Sequence, residues 1–438
     1  MKAQFNRRQF VRRATLAGLA TVATSSASAT LFKRKTKPEA LPANDRLNIG
    51  VIGTANRAMA NIQGVAHENI VALCDVDENL MAAAAQKFPK AAKYTDFRDL
   101  LDHRGLDAVV VSTPDHTHAV ATVAALKSGL HVYCEKPLTL TVSEARIVRE
   151  TARGRGLATQ MGNQIHASTN YRRVVELIQS DAIGPVTEVH VWVGATYKPY
   201  ERPTEIVPVP AHLHYDLWLG PAQYRPYHPE YLPFKWRNWW AFGGGTLADF
   251  GCHYMDLPFW ALGLQAPLTV EAEGPLPHKE GPPEDQIVRY EFGARGPQPP
   301  VRLTWYQGRL RPPHFAQGLL PKWGNGVLFI GARGMLIADY GKFQLLPEAT
   351  FAGFQPPAPF IPDSIGHHKE WTEACKHGVG TTCNFEYAGL LTEAVLLGNV
   401  SHRLGGKKLM WDPLNLRAAN SAEADEFIQH HYRRGWRL

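Results

Sequence analysis

The chain has 438 residues, 45% of them hydrophobic and 20% charged; it is longer than one ordinary domain and apolar enough to bury a large core, so a globular protein of two domains is expected. Its formal charge of +7 suggests nucleic acid until that charge is located: residues 1–44 hold nine Lys/Arg against the single acid Glu39, and the remainder carries 38 basic and 39 acidic groups, a net of −1. The body therefore has no positive excess to offer phosphates, which argues against nucleic-acid binding.

The first element in chain order is the leader "NRRQFVRRATLAGLATVATSSASA". It joins Arg7 and Arg8 to Phe10, Val11 and Arg12, a short weakly apolar stretch, and then Ala27-Ser28-Ala29. This order resembles a twin-arginine export signal with a small-residue cleavage site, the alternative being a basic disordered tail. Residues 1–44 are thus read as signal and linker, and the mature protein as periplasmic or otherwise exported. No other run is apolar and long enough to span a bilayer, so no integral membrane segment is expected after signal removal. The five cysteines (Cys74, Cys134, Cys252, Cys375, Cys383) are odd in number and lack CxxC spacing, which does not suggest a disulfide framework.

From Arg46 short apolar runs alternate with helical stretches. Strand-like runs occupy 47–52, 70–76, 107–113 and 131–137. Helices are expected near 56–66, after Asp77, from Asp96, over about 116–128, and after Thr141, whose spacing to Glu144 is that of a capping box. This pattern implies a doubly wound parallel sheet covered by helices, with ligand bound at the carboxyl ends of the strands. The stretch "NIGVIGTANRAMAN" (48–61) is where a dinucleotide loop should lie. Its three glycine positions are filled by Gly53, Ala55 and Ala58: the turn glycine is kept, and each replacement adds only a methyl group. Asp75 ends the second run, where an acid accepts hydrogen bonds from the adenosine ribose and repels a 2′-phosphate, so NAD is favoured over NADP.

At "STPDHTHA" (112–119) and "CEKPLT" (134–139) the sequence resembles the glucose-fructose oxidoreductase, inositol dehydrogenase and rhizopine-catabolism superfamily, Gfo/Idh/MocA. The resemblance runs from about Leu47 to Trp411. It implies an α/β fold with an NAD-binding Rossmann domain at 45–164 and a C-terminal α+β domain at 165–438, whose open, mainly antiparallel sheet serves substrate binding and assembly into a dimer or tetramer. By resemblance the E-K-P lysine, Lys136, reaches the substrate hydroxyl, while Glu135, Thr113, Pro114 and His118 lie near the nicotinamide ribose. The expected cofactor contacts also include Gly53, Thr54, Ala55, Asn56, Arg57, Asp75 and Asn163.

Downstream, "GGGTLADFGCHYMD" (243–256) spaces Asp249, His253 and Asp256 so that all three project from one face of a helix. Asp249 and His253 match a family pair placed with the lysine around the reacting carbon. Oxidising a secondary alcohol needs removal of the hydroxyl proton as hydride leaves. His253 suits a proton acceptor, Asp249 an orienting group, and Lys136 a stabiliser of the developing alkoxide, although the roles of His253 and Lys136 are interchangeable at this level. A metal at Asp249, His253 and Asp256 lacks further evident ligands.

The stretch "YRPYHPEYLPFKWRNWWAF" (224–242) holds eight aromatics in 19 residues, as a carbohydrate cleft or a packed subdomain would. With the loop before it, it resembles insertions that wall the active site in exported bacterial members, which suggests Tyr197, Arg237 and Trp240 as substrate contacts. Strand-like runs at 186–196, 268–274, 286–292, 301–307, 327–330 and 335–339, then helices near 367–377 and 386–403, complete the second domain. The expected activity is NAD-dependent oxidation of a hydroxyl-bearing ring carbon of a sugar, with retained and recycled NAD. Alternatives are an NAD-dependent glycosidase or lyase working through a transient keto-sugar, and a non-catalytic sugar binder that retains NAD.

Overall fold

The computed structural model describes residues 45–438, so the leader and linker expected at 1–44 lie outside the described residues. Strands β1 (Asn48–Ile52), β2 (Asn69–Cys74), β3 (Ala92–Tyr94), β4 (Ala108–Val111), β5 (His131–Glu135) and β6 (Thr159–Gly162) pair in parallel in the order 3-2-1-4-5-6. Helices α1 (Arg57–Val65), α2 (Glu78–Lys87), α3 (Phe97–Leu101), α4 (Asp115–Lys127) and α5 (Val142–Ala152) connect them. Strands β1 and β4 are buried almost throughout because helices cover both faces, which is why they read as unbroken apolar runs. The two edge strands of this sheet, β3 ("AKY") and β6 ("TQMG"), have no such run and carry no strand signal in the sequence.

Helix starts follow local chemistry. The Asp77 side chain accepts from the Asn79 and Leu80 amides to open α2, and Thr141 and Glu144 form the expected reciprocal capping box of α5. Strand order reverses between β1 and β4, so the loops leaving these two strands diverge and open a crevice at their carboxyl ends.

Helix α6 (Thr169–Gln179) leads into β7 (Val186–Val193), and a long insertion follows, carrying the short helix α7 (Tyr215–Leu219). Next come α8 (Gly245–Tyr254), α9 (Asp256–Leu262), β8 (Thr269–Glu273), β9 (Gln286–Phe292), β10 (Val301–Gln307), β11 (Gly326–Gly331), β12 (Gly334–Ala338) and β13 (Phe343–Leu346). Helices α10 (His367–His377) and α11 (Phe385–Arg403), strands β14 (Leu409–Asp412) and β15 (Arg417–Ala418), and helix α12 (Asp425–Ile428) complete the order. The second sheet has nine strands in the order 13-12-11-7-10-9-8-14-15, antiparallel throughout except where β10 runs parallel to β7.

Helix α11 is buried on almost every side because it packs against both α5 and β8. Arg146 of α5 clamps its Glu393 through paired 2.9 Å bonds, a geometry that holds two long charged side chains in one orientation. Among the described residues no helix is long and apolar enough to cross a membrane.

The aromatic-rich insertion forms a small core of its own. Tyr215, Trp218, Tyr231, Trp236, Trp239 and Phe242 bury one another, and the buried Arg225–Glu280 ion pair at 3.2 Å ties that core to the loop before β9. Most of these rings are therefore packing residues rather than a sugar platform.

Candidate active site

A crevice of about 550 Å³ lies over the carboxyl ends of β1, β2, β4 and β5, and α8, the insertion, Tyr340 and Trp436 wall its far side. At its nucleotide end Gly53 turns the chain at φ 84°, and its amide donates to Cys74 O at 2.8 Å. A Cβ at Gly53 would stand 2.6 Å from Ser112 O, so both the conformation and the space demand glycine here. Ala58 is fully buried, so the third position of the loop is a packing site that a methyl group fills.

Thr54, Ala55, Asn56 and Arg57 line the crevice at the start of α1, whose N-terminus has no side-chain cap and no acid in its first turn. Its amides and positive dipole end are thus left for an anion such as a pyrophosphate. Asp75 ends β2, with Oδ2 accepting from the Thr54 amide and hydroxyl at 2.8 Å each and Oδ1 from the Asp77 amide at 3.0 Å. Burial raises its pKa, and those same bonds oppose the rise. A carboxylate has about four acceptor sites, so ribose hydroxyls can still be bound. These features fit NAD: Gly53 through Arg57 would hold the pyrophosphate and Asp75 the adenosine ribose.

Across the crevice Arg57 reaches Glu135 Oε1 at 2.9 Å and Gln164 Oε1 at 3.0 Å. Asn61 also donates to Glu135 Oε1 at 2.9 Å, so Glu135 is held from two sides while still lining the crevice beside Thr113 and Pro114.

At the other end the Lys136 ammonium donates to Asp249 Oδ1 at 2.5 Å and to the Asp249 backbone carbonyl at 2.8 Å. Two of its three donors are used, which leaves one for a ligand. Arg237 adds a 3.2 Å bond to Asp249 Oδ1, and the Tyr197 hydroxyl donates to Oδ2 at 2.8 Å. Burial opposes ionisation of Asp249, but the charges of Lys136 and Arg237 and the bonds from Lys136 and Tyr197 outweigh it, holding the carboxyl well below the usual range.

His253, one helical turn beyond Asp249 on α8, faces the same crevice. Its Nδ1 lies 2.5 Å from Asn163 Oδ1, while the Asn163 amide nitrogen donates to Cys252 O at 2.8 Å. That second bond fixes the Asn163 orientation, so His253 donates through Nδ1–H and its Nε2 keeps a lone pair. Burial, reinforced by the Lys136 charge, pushes the imidazole pKa well below its ordinary value.

Four expected placements need correction. Asn163 does not line the crevice; it stands behind His253 and fixes that ring. His118 is also off the wall: both ring nitrogens lie 2.8 Å from backbone carbonyls, Pro137 O and Thr113 O, so it braces the loop after β5 from within. Trp240 is likewise absent from the crevice wall; its indole N–H donates to His278 O at 3.1 Å and the Arg403 guanidinium lies 5.3 Å from its ring. Asp256 begins a new helix instead of continuing the face of Asp249 and His253, and it bonds His166 at 2.9 Å and the Tyr387 hydroxyl at 2.6 Å.

Asp115 was missed, although it lies within the quoted "STPDHTHA". It opens α4 after Pro114, and burial pushes its carboxyl up to about 7 despite the charges of Arg237 and Lys136. Tyr340 was missed too; it comes from the turn between β12 and β13 and stands edge-on to His253 at 6.0 Å between ring centres. Nothing at position 340 in the sequence signals this, because only the sheet carries it to the crevice.

Residues 47–163 match the model of an oxidoreductase family with an NAD-binding Rossmann fold, and 169–294 match that family's C-terminal alpha/beta domain. Among curated relatives, a glycosyl hydrolase family 109 protein of Shewanella pealeana is 32% identical over 190 residues, which are 39% of this chain and 41% of that protein. An inositol 2-dehydrogenase of Salmonella paratyphi B is 31% identical over 166 residues, 36% of this chain and 48% of that one. The chain thus spans less than half the length of these relatives. Among solved structures, GenD2 from gentamicin A biosynthesis in complex with NAD is 19% identical with a TM-score of 0.59, covering 86% of this chain and 99% of that one. A levoglucosan dehydrogenase in complex with NADH is 17% identical with a TM-score of 0.54, covering 83% and 98%. At these identities the likeness is one of fold.

Proposed function

Since the chain belongs to the Gfo/Idh/MocA oxidoreductase family, with the NAD-binding Rossmann domain at 47–163 and the C-terminal domain at 169–294, we propose that it oxidises a hydroxyl-bearing ring carbon of a sugar or glycoside, using bound NAD. The observation that carries this reading is the meeting of Lys136, Asp249, Tyr197, Arg237 and His253 in the same crevice as the uncapped N-terminus of α1. Bound NAD supplies the hydride acceptor. His253, its Nδ1–H fixed by Asn163, takes the hydroxyl proton at Nε2. Its lowered pKa keeps it neutral, and so in the accepting form, at any pH near 7. Lys136, ion-paired to Asp249, turns its remaining N–H toward the substrate oxygen and stabilises the charge that develops there. Tyr197 and Arg237 hold Asp249, and through it Lys136, while presenting polar edges to neighbouring hydroxyls.

The leader at 1–44 supports an exported protein. Free NAD is scarce outside the cytoplasm, so the nucleotide would stay bound and be regenerated within each cycle. The nine-stranded sheet supports a dimer or tetramer, which light scattering measures.

A second reading, an NAD-dependent glycosidase working through a transient keto-sugar, is favoured by the sequence matches to glycosyl hydrolase family 109 proteins, that of Shewanella pealeana among them, and by Asp115, a second proton-carrying group in the crevice. Mass spectrometry of the nucleotide freed from denatured protein, combined with incubation of the native protein with aldoses and glycosides, separates these readings. Reduced nucleotide with keto-sugar supports the oxidoreductase, and released aglycone without net reduction supports the glycosidase. Saturable sugar binding with neither overturns both.

A further inference from the structure

The proposed chemistry uses one end of the crevice; the other end has a wall that no Rossmann sheet supplies. Asp75 marks the adenosine ribose, so the residues beyond it, Thr95 and Asp96 of the β3–α3 loop and Phe97 at the start of α3, flank the place of the base. Trp436, which comes from the C-terminal segment, lines the crevice with them. Its indole lies 6.1 Å from the Phe97 ring, tilted by 40°, and the Arg98 guanidinium sits 4.8 Å from its centre. Two aromatic rings and a guanidinium at the mouth of a pocket suit a flat, π-rich base.

The segment bearing Trp436 is fastened at several points. Glu144 is fully buried and divides its oxygens: Oε2 closes the capping box of α5, while Oε1 accepts from the Tyr432 hydroxyl at 2.7 Å and pairs with His430 Nδ1 at 2.9 Å. Arg433 then bridges to the insertion, its amide donating to Pro221 O at 3.0 Å, its Nε to Gly220 O at 3.1 Å, and its Nη1 to the Asp216 carboxylate. The insertion in turn joins the nucleotide domain just past β2, where the Glu78 amide donates to His212 O at 2.9 Å and the His214 amide to Val76 O at 2.8 Å. The base pocket is thereby enclosed by chain from three distant parts of the sequence.

We infer that the segment His430–Leu438 is a clasp: through Trp436 it covers the adenine of the bound dinucleotide, so that NAD is held as a prosthetic group and does not exchange freely. This rests on the NAD reading above. It also gives the recycling scheme a physical cause, because a base covered by Trp436 leaves only after the segment lifts.

The test strips the full-length protein of its own nucleotide, loads it with radiolabelled NAD, dilutes it into excess unlabelled NAD, and follows retained label on filters. Trp436→Ala is expected to release NAD about 10- to 100-fold faster, from the loss of one base–aromatic contact, with Trp436→Phe close to the parent. Tyr432→Phe, which removes a fastening without touching the pocket, is expected to speed release by a smaller factor even if Trp436→Ala fails to fold. Thermal unfolding of the nucleotide-free proteins provides the control for folding. Release from both Trp436→Ala and Tyr432→Phe at the parental rate overturns the clasp alone. A parent that binds no labelled NAD overturns the nucleotide reading itself, a separate outcome.

Discussion

Replacing Asp115 with Asn tests the electrostatics of the crevice through a single proton. The Asp115 carboxyl is buried, with Arg237, Asp249, Lys136 and the Gly244 amide around it, and burial is the largest influence in raising its pKa from 3.8 to about 7. In the unfolded chain the same group ionises near its ordinary value, about 3.9. The folded state therefore keeps a proton that the unfolded state has already lost across that window. Because the folded pKa is the higher one, this group's contribution to stability is intact below about pH 4. It falls by about 1.4 kcal/mol per pH unit as pH rises, and it levels off above about pH 7. Over the whole window the loss is about 4 kcal/mol. An amide at this position does not ionise and still accepts from the Gly244 N–H, so the Asp115→Asn variant should gain about 4 kcal/mol relative to its parent between about pH 4 and pH 7.5. Urea unfolding of the two nucleotide-free proteins across that range measures the difference, and subtraction cancels the titration of every other group. Curves that run parallel within about 1 kcal/mol would show that Asp115 ionises normally and that the crevice is far wetter than its burial implies.

Three further outcomes are expected. Lys136→Met should lower turnover by about 10²- to 10⁴-fold while nucleotide content stays at the parental level, because the lysine acts on the developing charge and does not hold the cofactor; near-parental turnover removes it from the mechanism. Asn163→Leu should release the His253 tautomer and lower kcat by about 10²-fold with little change in KM. Nitrogen NMR of the imidazole reads the tautomer directly, and an unchanged Nδ1–H form would contradict the positioning role. Gly53→Ala forces a Cβ to 2.6 Å from Ser112 O at φ 84° and should destabilise the protein by about 1–3 kcal/mol. Bound nucleotide should be lost with it; an unchanged thermal midpoint and nucleotide content would show that the loop relaxes more readily than its geometry implies.

Local features were legible in the sequence. The four buried strands β1, β2, β4 and β5 show as apolar runs because helices cover both of their faces, and the α5 capping box is read from Thr141 and Glu144 alone, since the bonds close within one turn. Gly53 could be named for the same reason, as a turn glycine after an apolar run, whereas Lys136, Asp249 and His253 were named through the family resemblance of the E-K-P motif and of an Asp and a His one helical turn apart. Short strands such as β3 and β15 carry no pattern of their own and exist through the neighbours they pair with. Asn163 and His118 were assigned to the cofactor because sequence identifies a polar residue near a site but not which way it faces; packing turned Asn163 onto His253 and His118 onto two carbonyls. The aromatic run at 224–242 has a composition that suits either a sugar platform or a core, and its rings form a core because they bury one another. Asp115 shows the same division: its identity is written in the sequence, but its high pKa arises from burial, with the distant Asp249 charge adding to the rise and Arg237 and Lys136 opposing it. What the sequence by itself determined is the set of contacts that close within a turn or along a strand. Which groups share the crevice, which face of each is presented to it, and that Trp436 covers its far end were decided only by tertiary packing, since desolvation and long-range Coulomb terms depend on distances that chain order does not contain.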